Sequence, residues 1–130
     1  MKEIKLQASL TKECLVTSEL LASSVGSGIV DVYATPMMIA LMEKAASELL
    51  VPYLDEGETS VGIHMDATHD AATPQGMKVS ATAVVTAVDR RKVIFSITAR
   101  DEKEVIGTAV HERFIVNKDK FESKAKSKKS

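Results

Sequence analysis

The chain reads as an α+β domain in which an antiparallel sheet wraps around one long buried helix. Three observations predict this. TPMMIALMEKAASELL, residues 35–50, has helix length and is apolar on almost every side of its first half; a helix without a polar face must be enclosed. After it, the apolar period changes from helical to alternating and stays so to Val116. The links between the alternating runs are too short for the crossovers that parallel strands require.

The elements follow in order. Ile4 to Val16 alternates loosely and is expected to be a strand. Residues 17–31, TSELLASSVGSGIVD, combine a short helical piece with a flexible SSVGSG and read as a loop or lid. Thr35 before Pro36 is start grammar for a helix: a hydroxyl able to cap free N–H groups, then a proline where the missing donor costs nothing. Pro52 predicts the stop near Leu50. At about 100° per residue, Met38, Met42, Ala45, Ala46 and Leu49 share a face, with Lys44, Ser47 and Glu48 opposite.

Four alternating runs come next. Thr59 to Ala71 places Val61, Ile63, Met65, Ala67, His69 and Ala71 together, toward the helix. TPQG, residues 73–76, is a turn sequence. Met77, Val79, Ala81, Ala83 and Val85 then share one face, and Val93, Phe95, Ile97 and Ala99 another, before a last run from Val105 to Val116. The expected sheet is a four-strand meander with the N-terminal strand added. A sheet curved around a single apolar helix describes a hotdog fold.

At 130 residues the chain suits one domain, and its five aromatic residues and absent tryptophan leave the core to aliphatic side chains. Residues 1–117 are expected to form that domain. Residues 118–130, with six lysines against Asp119 and Glu122, are expected to be a basic, flexible tail at +4, which leaves −5 on the body. The tail lacks interleaved aromatics and a nucleic-acid-binding signature, so no nucleic-acid partner is expected. MKEIKLQASL has no apolar leader core, and no apolar run is long enough to span a bilayer. With the single Cys14, this points to a cytoplasmic protein without disulfides or a membrane partner.

Two polar residues sit where a plain core would not put them. Glu43 borders the apolar half of the helix, and His69 shares its strand face with Val61, Ile63 and Met65. A buried carboxylate must be neutralised or paired, and the histidine is a candidate partner. The plainer reading is a core histidine bonded to backbone and a glutamate reaching solvent; periodicity alone leaves both open. His64 falls on the opposite strand face from His69, so the two cannot share a metal, and no metal site is expected. Neither a phosphate-binding glycine loop nor a G-x-S-x-G elbow is present.

The stretch VYATPMMIALMEKAASELLVPYLDEGETSVGIHMDATHDAATPQG resembles the hotdog-fold thioesterases of the fluoroacetyl-CoA thioesterase type. The matching features are A-T, then L-M-E with its glutamate eight residues after the threonine, P-Y-L-x-x-G-E, S-x-G and T-H-x-A-A-T-P-x-G. The resemblance returns at HERF, residues 111–114, and at KF, residues 120–121, and covers about residues 30–121. It implies hydrolysis of a small acyl-CoA thioester, with no cofactor beyond the CoA of the substrate, at the interface of a homodimer. It implies Thr35, Glu43 and His69 as catalytic residues, Gly62 near the thioester carbonyl and Arg113 toward the CoA phosphates. Ile29 stands where the fluoroacetate specialist has a lid phenylalanine, so that selectivity is not carried over. The alternatives are a non-catalytic acyl-CoA-binding module and a hotdog hydratase. The Asp/His arrangements of the hydratases are not found in this chain.

Overall fold

A computed structural model describes residues 1–129, so Ser130, the end of the expected tail, lies outside the described residues. The elements are β1 (Ser9–Leu15), a one-turn helix α1 (Ala22–Val25), α2 (Thr35–Leu50), β2 (Glu58–His69), β3 (Lys78–Asp89), β4 (Lys92–Arg100), β5 (Val105–Asn117) and α3 (Lys118–Lys126). The N-terminal strand is shorter than expected because Gln7 takes a positive φ of 70°, which breaks the extended run. The basic tail, expected to be unstructured, begins as helix α3. The Asn117 side chain accepts from the Lys120 amide as its cap, and Lys118 bonds Glu122 one turn on. Among the described residues, no helix is long and apolar enough to cross a membrane.

Helix α2 buries Met38, Leu41, Met42, Ala45, Ala46, Leu49 and Leu50, including all five residues expected on its inner face. It packs on β1, β2, β3 and β4. Enclosure is incomplete: Ala40 is exposed and Met37 half-buried. Its start also differs from expectation. Ala34 occupies the cap position without a side-chain bond, and Thr35 is already the first helical residue, its hydroxyl used elsewhere.

All strand pairs are antiparallel, in the order β1-β3-β4-β5-β2. The four-strand meander is therefore corrected to three strands. β2 lies beside β5 at the sheet edge, and residues 70–77 carry the chain across the sheet end to β3. Backbone bonds track that crossing, from Asp70 and Ala71 to Ile106, from Tyr33 to Thr73, and from Gly76 to Val16. The buried Thr73 hydroxyl donates to Asp101 at 2.8 Å and pins its middle. A link of that length need not be a hairpin, and TPQG alone cannot distinguish the two.

The inner faces of β3 and β4 are as expected: Val79, Ala81, Ala83, Val85, Val93, Phe95, Ile97 and Ala99 are all buried. β2 is not regular. Its register against β5 shifts between Gly62 and His64, with Ile63 as the extra residue. A bulge reverses the facing of the strand. Ser60 is buried before it, while Met65, Ala67 and His69 turn inward after it, and Ile63, expected inside, is 51% exposed.

Gly107 shows how closely the layers approach. A Cβ there would lie 2.3 Å from the Thr68 carbonyl oxygen and 2.9 Å from Met38 Sδ. Gly107→Ala is expected to destabilise the fold by about 1–3 kcal/mol through overpacking, measured as a lower midpoint of urea unfolding.

Candidate active site

Two groups of polar side chains lie one after the other along the seam between α2 and β2. The first lies at the start of the helix. Because β2 runs back along α2, its last residue, His69, reaches the first helical residue, and Thr35 Oγ1 lies 2.7 Å from His69 Nδ1. The ring meets Tyr33 edge-on, centroids 6.4 Å apart. His69 Nε2 is buried and has no hydrogen-bond partner among the described residues. Burial lowers the pKa of this imidazole, and the Asp70 carboxylate only partly opposes that. A neutral ring with one nitrogen committed to a hydroxyl leaves the other free to accept or give a proton, according to tautomer.

Thr35 and His69 line a cleft of about 250 Å³ with Tyr33, Gly28 and Val30. The expected lid therefore does border the site. Ile29, expected to border the substrate, is 94% exposed and is not among the residues lining the cleft, its side chain turned to solvent between Gly28 and Val30. The Ser23 hydroxyl donates to Asp31 across the lid's base.

The second group lies two turns further along α2, about 12 Å by helical rise. Glu43 Oε2 stands over Gly62 so closely that a Cβ on that glycine would be 2.5 Å from it. The same oxygen accepts from Arg113 Nη1 at 3.4 Å. Arg113 is only 7% exposed. Its Nε donates to Ser60 Oγ at 2.9 Å, its Nη2 to the Ser60 carbonyl at 3.0 Å, and its Nη1 lies 3.2 Å from His111 Nε2. His111, 1% exposed and stacked on Phe95, uses Nδ1 to reach the His64 carbonyl at 2.7 Å. Nδ1–H must donate to that carbonyl, so Nε2 is the acceptor for Arg113 and the ring is neutral. Burial first, and the neighbouring guanidinium second among the lowering influences, depress its pKa. Burial likewise lowers that of Arg113, opposed by Glu43.

The sequence-predicted residues are thus brought together in two groups. Thr35 meets His69, and Glu43 meets Gly62 and Arg113. The partner of Glu43 within the chain is Arg113, in place of the candidate His69. Arg113, expected toward CoA phosphates, is instead enclosed beneath the carboxylate, where it fixes Glu43 and carries the charge that balances it. Ser60 and His111 were missed as site residues. The signal for His111 lay in β5, where His111 and Arg113 alternate in step with Ala109 and Ile115, putting two polar residues on an apolar face; Ser60, on β2, had none. Among the described residues, no set of three His, Cys, Asp or Glu side chains is placed to hold a metal ion.

The chain is similar to known thioesterases in sequence and in fold. The family described as fluoroacetyl-CoA-specific thioesterase matches residues 16–119. The fluoroacetyl-CoA thioesterase of Streptantibioticus cattleyicolor is 39% identical over 98 residues, covering 75% of this chain and 70% of that protein. A solved structure of the fluoroacetyl-CoA thioesterase superposes with a TM-score of 0.93 at 30% identity, covering 98% of each chain. A thioesterase-superfamily protein from Thermus thermophilus superposes with a TM-score of 0.92 at 30% identity, over 99% of this chain and 96% of that one.

Two outcomes are expected from these contacts. Gly62→Ala should displace the Glu43 carboxylate, seen as loss of its contact with Arg113 in a crystal structure of the variant. Stability should also fall with pH: unfolded imidazoles take up protons near their ordinary pKa of about 6.5, while folded His69 and His111 resist to lower pH. The stabilisation is thus present above about 6.5 and lost as pH falls through the lower folded values. His111→Asn should flatten that slope in thermal melts between pH 7.5 and 5.

Proposed function

The chain belongs to the fluoroacetyl-CoA-specific thioesterase family, and we propose that it hydrolyses a small acyl-CoA thioester as a homodimer with its catalytic residues shared across the interface. The observation that carries this is the pair of polar stations on β2. One is an anchored carboxylate over a glycine, and the other is a hydroxyl–imidazole pair with a free ring nitrogen. β2 is a twelve-residue edge strand, and such edges need cover. Pairing with a second copy about a two-fold axis runs the strands in opposite directions. The Glu43–Gly62 station of one copy then lies alongside the Thr35–His69 station of the other.

The chemistry asked of this arrangement is defined. Water adds to the thioester carbonyl carbon, the C–S bond breaks, and the departing CoA sulfur takes a proton, leaving the free acid. Glu43 either attacks the carbonyl to give an acyl-enzyme that water cleaves, or takes the proton of the attacking water. The Gly62 amide, with no side chain in front of it, serves the developing oxyanion. His69, kept neutral by burial, moves protons through Nε2 while Thr35 fixes its ring. No cofactor takes part, and the expected site of action is the reducing cytoplasm.

Glu43→Gln should lower kcat on a short acyl-CoA panel by about 10²–10⁴-fold, read by release of free thiol. Equal inactivity of wild type and variant on every ester would leave only an acyl-CoA-binding module. A single turnover quenched before completion should show the acyl group on Glu43 by mass spectrometry if the acyl-enzyme route operates, and unmodified Glu43 if it does not. Light scattering should give twice the 14.0 kDa chain mass; a monomer that is fully active would exclude the shared site.

A further inference from the structure

Two cavities meet at one side chain. The first is the cleft of about 250 Å³ that Thr35 and His69 line, with Ala22, Val30 and Val32 as its apolar wall. The second, of about 210 Å³, lies between β1 and α2. Cys14, Leu20, Met37, Ala40 and Leu41 line it, and the exposed Glu13 and Lys44 border it. Tyr33 is the residue common to both linings. Its ring meets His69 edge-on beside the cleft, and its hydroxyl donates to the Met37 carbonyl at 3.1 Å beside the second cavity. Burial raises the pKa of this phenol and Cys14 adds to the rise, so the hydroxyl stays a donor.

A tyrosine used only for packing touches side chains all round, because protein interiors hold few voids. Tyr33 is 2% exposed and yet borders open space at two places. It is also firmly held. Its amide donates to the Thr73 carbonyl at 2.8 Å, it bridges to Leu21, and the amide of the next residue, Ala34, donates to Leu20. Anchored at the backbone and at the hydroxyl, the ring does not swing aside without losing a buried hydrogen bond.

We propose that Tyr33 is the stop that fixes acyl length: the acyl group occupies the Thr35–His69 cleft, ends against the ring, and is kept out of the cavity behind it. The assignment rests on the thioesterase reading above and deepens it, naming short-chain acyl thioesters as the class accepted. The second cavity has the character of a latent extension. Aliphatic side chains and two sulfur-bearing ones line it, and both of its charged neighbours are exposed, so added methylenes would be taken up favourably once the ring is gone. A methylene accepted or refused by an apolar pocket changes kcat/KM by about tenfold or more. One ring is enough to set the preference.

The test compares hexanoyl-CoA with acetyl-CoA by chromatographic detection of released CoA, so that no thiol reagent touches Cys14. Wild type should prefer acetyl-CoA. Tyr33→Leu should raise the hexanoyl-to-acetyl ratio of kcat/KM by about tenfold or more, and Tyr33→Phe, which keeps the ring, should retain the wild-type ratio. Adding Cys14→Phe to Tyr33→Leu fills the second cavity and should remove the gain, while Cys14→Phe alone should leave the ratio unchanged. Tyr33→Met, closer to tyrosine in volume, is run alongside in case the leucine variant does not fold. An unchanged ratio in a folded leucine or methionine variant, a gain that survives Cys14→Phe, or a wild type that takes both esters equally would each overturn the proposal. Should wild type hydrolyse neither ester, the thioesterase reading fails. The relative affinities of the S-hexyl and S-ethyl thioethers of CoA, which cannot be hydrolysed, then make the same comparison across the variants and decide the stop separately.

Discussion

The site depends on a guanidinium held out of water. Arg113 sits on the inner face of β5, where His111 is its polar neighbour between Ala109 and Ile115, and taking such an ion from water costs roughly several kcal/mol after relaxation. Four contacts offset that cost. The Ser60 hydroxyl and carbonyl take two nitrogens, the neutral His111 ring accepts from a third direction, and the Glu43 carboxylate supplies the counter-charge. Glu43 stays 45% exposed at the side chain while its partner is buried. The pair therefore has a fixed inner half and an accessible outer half.

That interaction explains the irregularity of β2. In a regular strand with His69 facing the helix, Ser60 and Gly62 would face outward, and Arg113 would lose its hydroxyl and carbonyl acceptors. The extra residue at Ile63 lets one strand present Ser60 and Gly62 inward at one end and His69 inward at the other. Both stations then lie on the same side of α2. The cost is an exposed isoleucine on an edge strand, acceptable if a second copy covers it.

The strand order has the same consequence. Had residues 73–76 closed a hairpin, β2 would lie between β3 and β5 or beside β3, with its residues further within the sheet. By carrying the chain across the sheet end, the link leaves β2 at the edge. It also runs under the lid: Tyr33, which borders the Thr35–His69 cleft, donates its amide to Thr73. Lid, link and catalytic candidates are thus tied together by backbone bonds and not by side-chain packing alone.

The sequence by itself determined the fold class, the buried face of α2, the inner faces of β3 and β4, and the side-chain types of the site, because each follows from local periodicity or from short motifs. It brought Glu43 and His69 forward as polar residues among apolar ones. It did not determine which strand lies beside β2, since an eight-residue link is compatible with a hairpin or a crossing. It did not locate the bulge, which has no composition signal and turns Ser60 and Gly62 inward, on the opposite parity to Met65, Ala67 and His69. Nor did it find that Arg113 and His111, distant from Glu43 in the chain, complete the carboxylate's surroundings. Pairing charges over such separations is decided by strand register, and register is a property of the assembled sheet.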